Sequence, residues 1–353
     1  MKKILLFSLG LALVLGACKR DDDNDIEVPD PVITSGMVVA CEGSFNQNNA
    51  TLHWLGDDGS VRNNLFQAAN GVSLGDVLQS YREFNGRGYA VVNNSQKVEV
   101  VNPSTFERIG TITGCDYPRD ILVINSAKGY ISNGSMAGEV LTFNPGNNTI
   151  TGTIPAGNGP EEIAYNGSFV FVANSGGWLQ DNTVTVINPI NDEVVATVTV
   201  GDRPVALEVD YQNNVWVLCA GAVDYDENWN IVNETDARLM RIDGALHTVS
   251  AQFTIGQNGD HPTHMAANAD RTQLYVVNGG LSTVGVNSGT LSIGPIEIGD
   301  FRAIGVHPTT GEIYLSSSPD YVSNDVVYVY SSQGELRETL NVGIAPIALQ
   351  FRN

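Results

Sequence analysis

Positive charge is scarce in this chain. Its 353 residues carry 18 Lys and Arg against 39 Asp and Glu, a formal charge of −21. A nucleic acid would meet a surface of its own sign, which excludes a binder that works by neutralising phosphates. A polybasic protein of the membrane surface is disfavoured for the same reason. Cysteine is rare, four in all, and no CxxC spacing occurs. There is no glycine-rich phosphate loop, no GxSxG and no HExxH, so no motif announces a cofactor, a resident metal or a catalytic nucleophile. Charged residues of both signs together make up only 16%.

What is present points one way. Hydrophobic residues at 42% are enough for a packed core, and wholesale disorder is excluded. The 37 Gly and 14 Pro, with abundant Asn and Thr, speak for many short strands joined by tight turns rather than for helices. The expected class is all-β.

The first residues read as an address. Residues 1–17 have a short basic start (Lys2, Lys3), an apolar run from Ile4 to Leu15, and the small residues Gly16 and Ala17. The run is short for a membrane span and suits a signal peptide. Small residues directly before Cys18 resemble a bacterial lipobox, which would make Cys18 the lipidated first residue of the mature chain. Residues 18–36 open with Lys19-Arg20-Asp21-Asp22-Asp23-Asn24-Asp25, a run that cannot bury itself and reads as a solvated tether. It also resembles the acid-rich export signal of Bacteroidetes-type lipoproteins, which implies the outer face of the outer membrane.

From residue 37 to 353 one unit recurs. Pro118, Pro160, Pro204 and Pro262 mark turns spaced by about 40 residues, the last interval lengthened by an insertion. Each unit holds four short alternating runs rich in β-branched and aromatic residues, bounded by Asn, Gly and Pro, which we label strands a to d. After Pro160 they are residues 162–165, 169–174, 183–189 and 194–200. Four strands per repeat of this length are the signature of a β-propeller blade. Complete units begin near 76, 118, 160, 204, 262 and 302. Residues 37–75 supply b, c and d without an a, and the run from Pro346 supplies an a. Together they predict a seventh blade sewn from both ends, and hence a single seven-bladed ring without an open sheet edge.

Strand direction alternates within a blade, so d-to-a links and b-to-c loops share one face of the disc. The turns on the other face, such as Asn144-Pro145-Gly146-Asn147, are short and generic. The first face carries long uneven loops with aromatic residues, a costly exposure unless they bind something. Tyr, Trp and Arg also carry much interface energy. The candidate ligand-binding residues are therefore Phe45, Tyr117, Arg119, Trp178, Arg203, Tyr225, Trp229, His261, His264, Phe301, Arg302 and Tyr321.

Other motifs weigh less. Asp224, Asp226 and Asn228 have the spacing of a calcium loop, but Trp229 stands where its Gly belongs and Thr235 where its Glu belongs, so a solvated acidic loop is favoured. His261 and His264 lack a third metal ligand, and His307 falls on the wrong face. Glu161 and Glu162 are adjacent in a strand and should point apart, which argues against a cooperating acid–base pair. Cys41, Cys115 and Cys219 sit at b-strand ends or d-to-a links. Three cysteines allow at most one disulfide.

The runs Tyr89-Ala90-Val91-Val92-Asn93 and Leu274-Tyr275-Val276-Val277-Asn278, with Gly201-Asp202-Arg203-Pro204, resemble YVTN-type, YncE-like propeller repeats. The segment from Cys41-Glu42-Gly43-Ser44-Phe45-Asn46 through Asn49-Ala50-Thr51-Leu52 resembles the opening of surface lipoprotein propellers that sit beside TonB-dependent transporters. That group includes the BtuG-type proteins, which bind vitamin B12. Cys41 replaces the usual Asn, and no motif matches the B12 contacts themselves. The resemblance implies a non-enzymatic surface receptor for a corrinoid nutrient that works with such a transporter. The alternatives are a glycan- or protein-binding propeller and, less favoured, a lactonase-like enzyme.

Overall fold

The computed structural model describes residues 35–135, 137–255, 259–287, 291–293, 296 and 301–352. The expected leader, Cys18 and nearly all of the tether lie outside the described residues, as do Gly299 and Asp300 of one degenerate turn.

Seven four-stranded antiparallel sheets follow one another around a ring. The third blade is typical, with strands Pro160–Tyr165, Val170–Asn174, Thr183–Asn188 and Glu193–Thr199 paired in chain order. The innermost a strands of blades one to six are Leu78–Phe84, Pro118–Asn125, Pro160–Tyr165, Pro204–Val209, Met265–Ala267 and Ile304–Val306. These starts agree with the repeat boundaries read from the prolines. The seventh sheet is sewn as expected: the C-terminal strand Pro346–Arg352 lies beside Gly36–Cys41, with Val39 opposite Leu349 and Ala40 opposite Ala348.

The core follows from the alternation. One set of side chains on each sheet must bury against the next sheet round, so the interior is a ring of separate layers. Seven buried clusters are present, each shared by two neighbouring blades. Between blades one and two, for example, Tyr89, Val91 and Val98 meet Ile121, Ile131 and Phe143.

Polar stitches join the blades as well. Arg87 donates to the carbonyl of Pro145 in the next blade at 2.6 Å, and Lys128 does the same to Pro189 at 2.9 Å. The Asn-Pro turns that receive them fold locally, because each Asn side chain accepts the backbone N–H two residues on, as Asn144 does from Gly146 at 2.8 Å. The ring is clasped where the ends of the chain meet. The single Nε–H of Arg352 is shared between the two carboxylate oxygens of Glu83 of the first blade, at 2.8 and 2.7 Å, and its guanidinium lies over Trp54 and Phe106.

Two features depart from the expected plan of four strands per blade joined by open loops. The d strand of the seventh blade is only Val61–Arg62, and a six-residue helix, Leu65–Asn70, follows it and buries Leu65 and Phe66. Secondly, the long insertion in the fourth blade is a β-hairpin, Val223–Tyr225 paired with Ile231–Glu234, rather than an open loop.

Candidate functional site

Strand a starts on the face that also carries the b-to-c loops. The seven a strands therefore deliver side chains to the axis just below that face, and the loops deliver side chains around it. The axis holds a cavity of about 590 Å3. Five of the twelve candidate residues line it: Arg119, Arg203, His264, Arg302 and Tyr321.

The mouth is built from fixed ion pairs. Arg119 donates to Glu161 from Nε at 2.8 Å and lies over the Tyr117 ring, which holds Tyr117 beside the cavity rather than in its lining. Glu161 also accepts from Ser175 at 3.2 Å. Arg302 pairs with Glu42, stacks on Tyr321 at 4.6 Å, and leaves its Nη1 buried without a partner. Gln79 donates to the other oxygen of Glu42 at 2.8 Å. Burial, with Arg302 nearby, pushes His264 down to about 3, so its imidazole is neutral.

Deeper in the cavity is a cluster that the sequence analysis did not find. Arg82 grips Asp120 with bonds of 3.2 and 3.0 Å and reaches Glu162 at 2.9 Å. The backbone N–H of Leu207 holds the other Glu162 oxygen at 3.0 Å. Burial raises the Glu162 pKa against the pull of Arg82, with Asp120 adding to the rise. Glu208 has a single hydrogen bond, from the Ala267 N–H at 3.2 Å, and burial followed by repulsion from Glu162 pushes it up to about 8. Its carboxyl is thus mostly protonated at neutral pH. Glu161 and Glu162 do point to different partners, as their strand positions require. The missed residues had one signal: Arg82 and Glu208 interrupt otherwise core-like a strands, and a charged side chain there has to leave the core.

Outside the cavity the loops present aromatic rings. Phe45 is 68% exposed, Trp178 81% and Trp229 82%, with Tyr225 and Tyr321 each at 52%. The hairpin of the fourth blade carries two of them, Tyr225 and Trp229, with ring centroids 6.0 Å apart. Trp229 sits at φ 64°, the left-handed region in which a glycine would be at ease. The loops are tied together: Ser44 donates to the Tyr321 carbonyl at 2.8 Å, and Gln180, two residues after Trp178, bonds Asp224 of the hairpin.

Two candidates turn away from the site. His261 serves the hairpin base, bonding the Ala220 carbonyl at 2.7 Å and Glu234 at 3.2 Å. Phe301 packs edge-on against Tyr328 and Tyr330. The calcium spacing is taken up by the hairpin: Asp226 caps its turn through the N–H groups of Asn228 and Asn230, and Asp224 bonds Asn233 across the strands at 3.0 Å. Among the described residues no three His, Cys, Asp or Glu side chains gather as a metal site. Cys41, Cys115 and Cys219 are free and buried, and burial pushes each thiol up to about 12.

No curated protein matches the chain. Solved structures resemble it in fold. A candidate 6-phosphogluconolactonase of Bacteroides fragilis superposes with a TM-score of 0.66 over 92% of this chain and 100% of the other, at 12% identity. A quinonprotein alcohol dehydrogenase-like protein of Bacteroides thetaiotaomicron gives 0.65 over 91% and 79%, at 14% identity. The hydrazine synthase of Kuenenia stuttgartiensis gives 0.60 over 74% and 85%, at 14% identity. At such identities the likeness extends to the propeller and not to what those proteins do. Residues 35–344 match the family described as Domain of unknown function (DUF5074), and the chain belongs to that family.

Proposed function

We propose that this chain is a non-enzymatic surface receptor that captures a corrinoid nutrient on its aromatic face for a TonB-dependent transporter, anchored in the outer membrane through a lipid on Cys18. The observation that carries this reading is the segregation of aromatic rings. Of the six exposed aromatic side chains among the described residues, Phe45, Trp178, Tyr225, Trp229 and Tyr321 stand in b-to-c loops, and Tyr211 alone does not. Rings kept wet on one face cost solubility and are retained for a ligand.

A corrinoid is a broad, largely apolar ring fringed with amides, a shape that an aromatic- and Asn-rich face suits. The chain's charge of −21 offers its phosphate no attraction, and recognition rests on ring stacking and neutral hydrogen bonds. A binding rather than a catalytic role is supported by the ionisable groups at the mouth. Arg119 with Glu161, and Arg302 with Glu42, are locked in pairs instead of standing free for proton transfer.

The test is direct. Full chain in detergent, mixed with excess cyanocobalamin and passed through a desalting column, elutes red at close to one ligand per chain. Trp178→Ala and Trp229→Ala each weaken binding by about 2 kcal/mol. Colourless protein overturns the corrinoid assignment, and quenching of tryptophan fluorescence by oligosaccharides would then move the face to glycans.

A further inference from the structure

The axial cavity has two unlike sides. Below Arg302 and His264, the a strands of blades five to seven line it with Met265, Ala266, Ile304, Val306, Ile347 and Leu349, all apolar. The a strands of blades one to four bring Arg82, Asp120, Glu162 and Glu208 instead. Glu208 stands where the two sides meet, since it accepts the backbone N–H of Ala267, in blade five, at 3.2 Å.

The charged side is short of cations. Arg119 pairs with Glu161 and Arg302 with Glu42, but Arg82 serves both Asp120 and Glu162. Arg203, the other arginine of the lining, is an exposed residue just ahead of the fourth a strand. Among the described residues Glu208 has no ion-pair partner, and the oxygen that Ala267 does not hold is left to the cavity. Burial beside the like charge of Glu162 keeps this carboxyl mostly protonated at neutral pH. An opposite charge brought within reach lets such a group ionise.

We propose that the axial cavity binds a small organic amine in its ammonium form, with the nitrogen at Glu208 and the hydrocarbon body against the apolar wall of blades five to seven. A volume of about 590 Å3 lies within the range of small-molecule sites. The chain's charge of −21 draws cations toward the mouth. A hydrated metal ion would gain nothing from the apolar wall. As the ammonium enters, Glu208 gives its proton to solvent. The charged groups that act on Glu208 are Glu162, Arg82 and Arg271, and His264 in the same lining is neutral. Tyr321 belongs both to the mouth and to the aromatic face, so the two sites adjoin. The amine site is built on the a strands and holds whatever the face above it takes.

Calorimetry on the full chain, with titrations into detergent alone subtracted, tests the site with cyclohexylamine, cyclohexanol, cyclohexanecarboxylate and methylamine. At pH 8.5 cyclohexylamine binds about tenfold or more tighter than cyclohexanol, and the carboxylate binds more weakly than either. Methylamine, which has no body for the wall, binds about tenfold or more weaker than cyclohexylamine. From pH 6 to pH 8.5 the affinity for cyclohexylamine rises about tenfold or more, because the ammonium stays charged while Glu208 loses its proton. Glu208→Gln removes the preference for the amine over cyclohexanol and flattens the pH profile. Trp178→Ala and Trp229→Ala leave amine binding unchanged, since neither ring lines the cavity. Cyclohexylamine that binds no tighter than cyclohexanol overturns the proposal. So does a Glu208→Gln variant that binds it like the native chain, or methylamine that binds as tightly as cyclohexylamine.

Discussion

Glu208 shows how much one position in the innermost layer decides. It stands in an a strand whose neighbours Ala206 and Leu207 are core residues, so its carboxyl is carried to the axis and away from bulk water. Burial and the facing Glu162 raise its pKa to about 8, against the opposing pull of Arg82 and Arg271 and a hydrogen bond from Ala267. The unfolded chain releases this proton near the ordinary carboxylate pKa of about 4.3. Between that pH and about 8 the folded state holds a proton that the unfolded state has lost, so the stability contribution is complete below the unfolded value and declines as pH rises. Glu208→Gln removes the cost of ionising the buried group. Its melting temperature should match the native chain near pH 4 and exceed it at pH 9, a gain of up to about 5 kcal/mol for the full shift from about 4.3 to about 8. Thermal unfolding at both pH values checks this, and parallel curves would mean that Glu208 is solvated in the folded state.

The hairpin of the fourth blade is the element in which structure and use diverge most clearly. Its strands pair only with each other and contribute nothing to the blade sheet, which runs directly from Val215–Cys219 to Arg238–Ile242. The turn is stabilised by Asp226, whose carboxylate accepts the backbone N–H groups of Asn228 and Asn230. At the next turn position Trp229 occupies left-handed backbone, which costs a side-chain-bearing residue about 1 kcal/mol relative to glycine. On the proposed function, the exposed indole of Trp229 is a ligand contact held at the cost of this strain. Trp229→Gly should therefore raise the melting temperature slightly while weakening ligand capture at least as much as Trp229→Ala. Thermal unfolding and cyanocobalamin titration on the same sample decide it. A destabilised glycine variant would show that the ring packs usefully against Tyr225.

For the whole molecule the decisive contact is the clasp. Every blade is covered by its neighbours, so the ring is stable only if the seventh sheet holds its C-terminal strand. Arg352 secures it with side chains from three places in the chain: Glu83 as ion-pair partner, and the rings of Trp54 and Phe106. Arg352→Ala strands the Glu83 carboxylate, now poorly solvated, and should cost about 3 kcal/mol, with Arg352→Ala plus Glu83→Gln recovering part of it. Denaturant unfolding of the native chain, the two single variants and the double variant measures the coupling. Strict additivity would show that the clasp acts through packing of the arginine stem alone.

Much of this architecture could be read from residue types, because its determinants are local. Proline and Asn-Pro turns recur with the blade period, and β-branched alternation specifies strands and their buried sides. The missing a strand at one end and the spare a strand at the other imply a shared blade. Loop aromatics such as Trp178 and Trp229 were equally visible, since a long polar loop has no core in which to bury them. What only the tertiary structure decided is which side chains meet at the axis. Arg82, Asp120, Glu162 and Glu208 come from the a strands of four different blades, and the repeat that places each of them in its strand does not say which charges pair. His261 and Phe301 look equivalent to their neighbours in the links, yet one is captured by the hairpin and the other by Tyr328 and Tyr330. Turn chemistry and strand period act between residues close in sequence, whereas the charge balance of the cavity arises from strands brought together only when the ring closes.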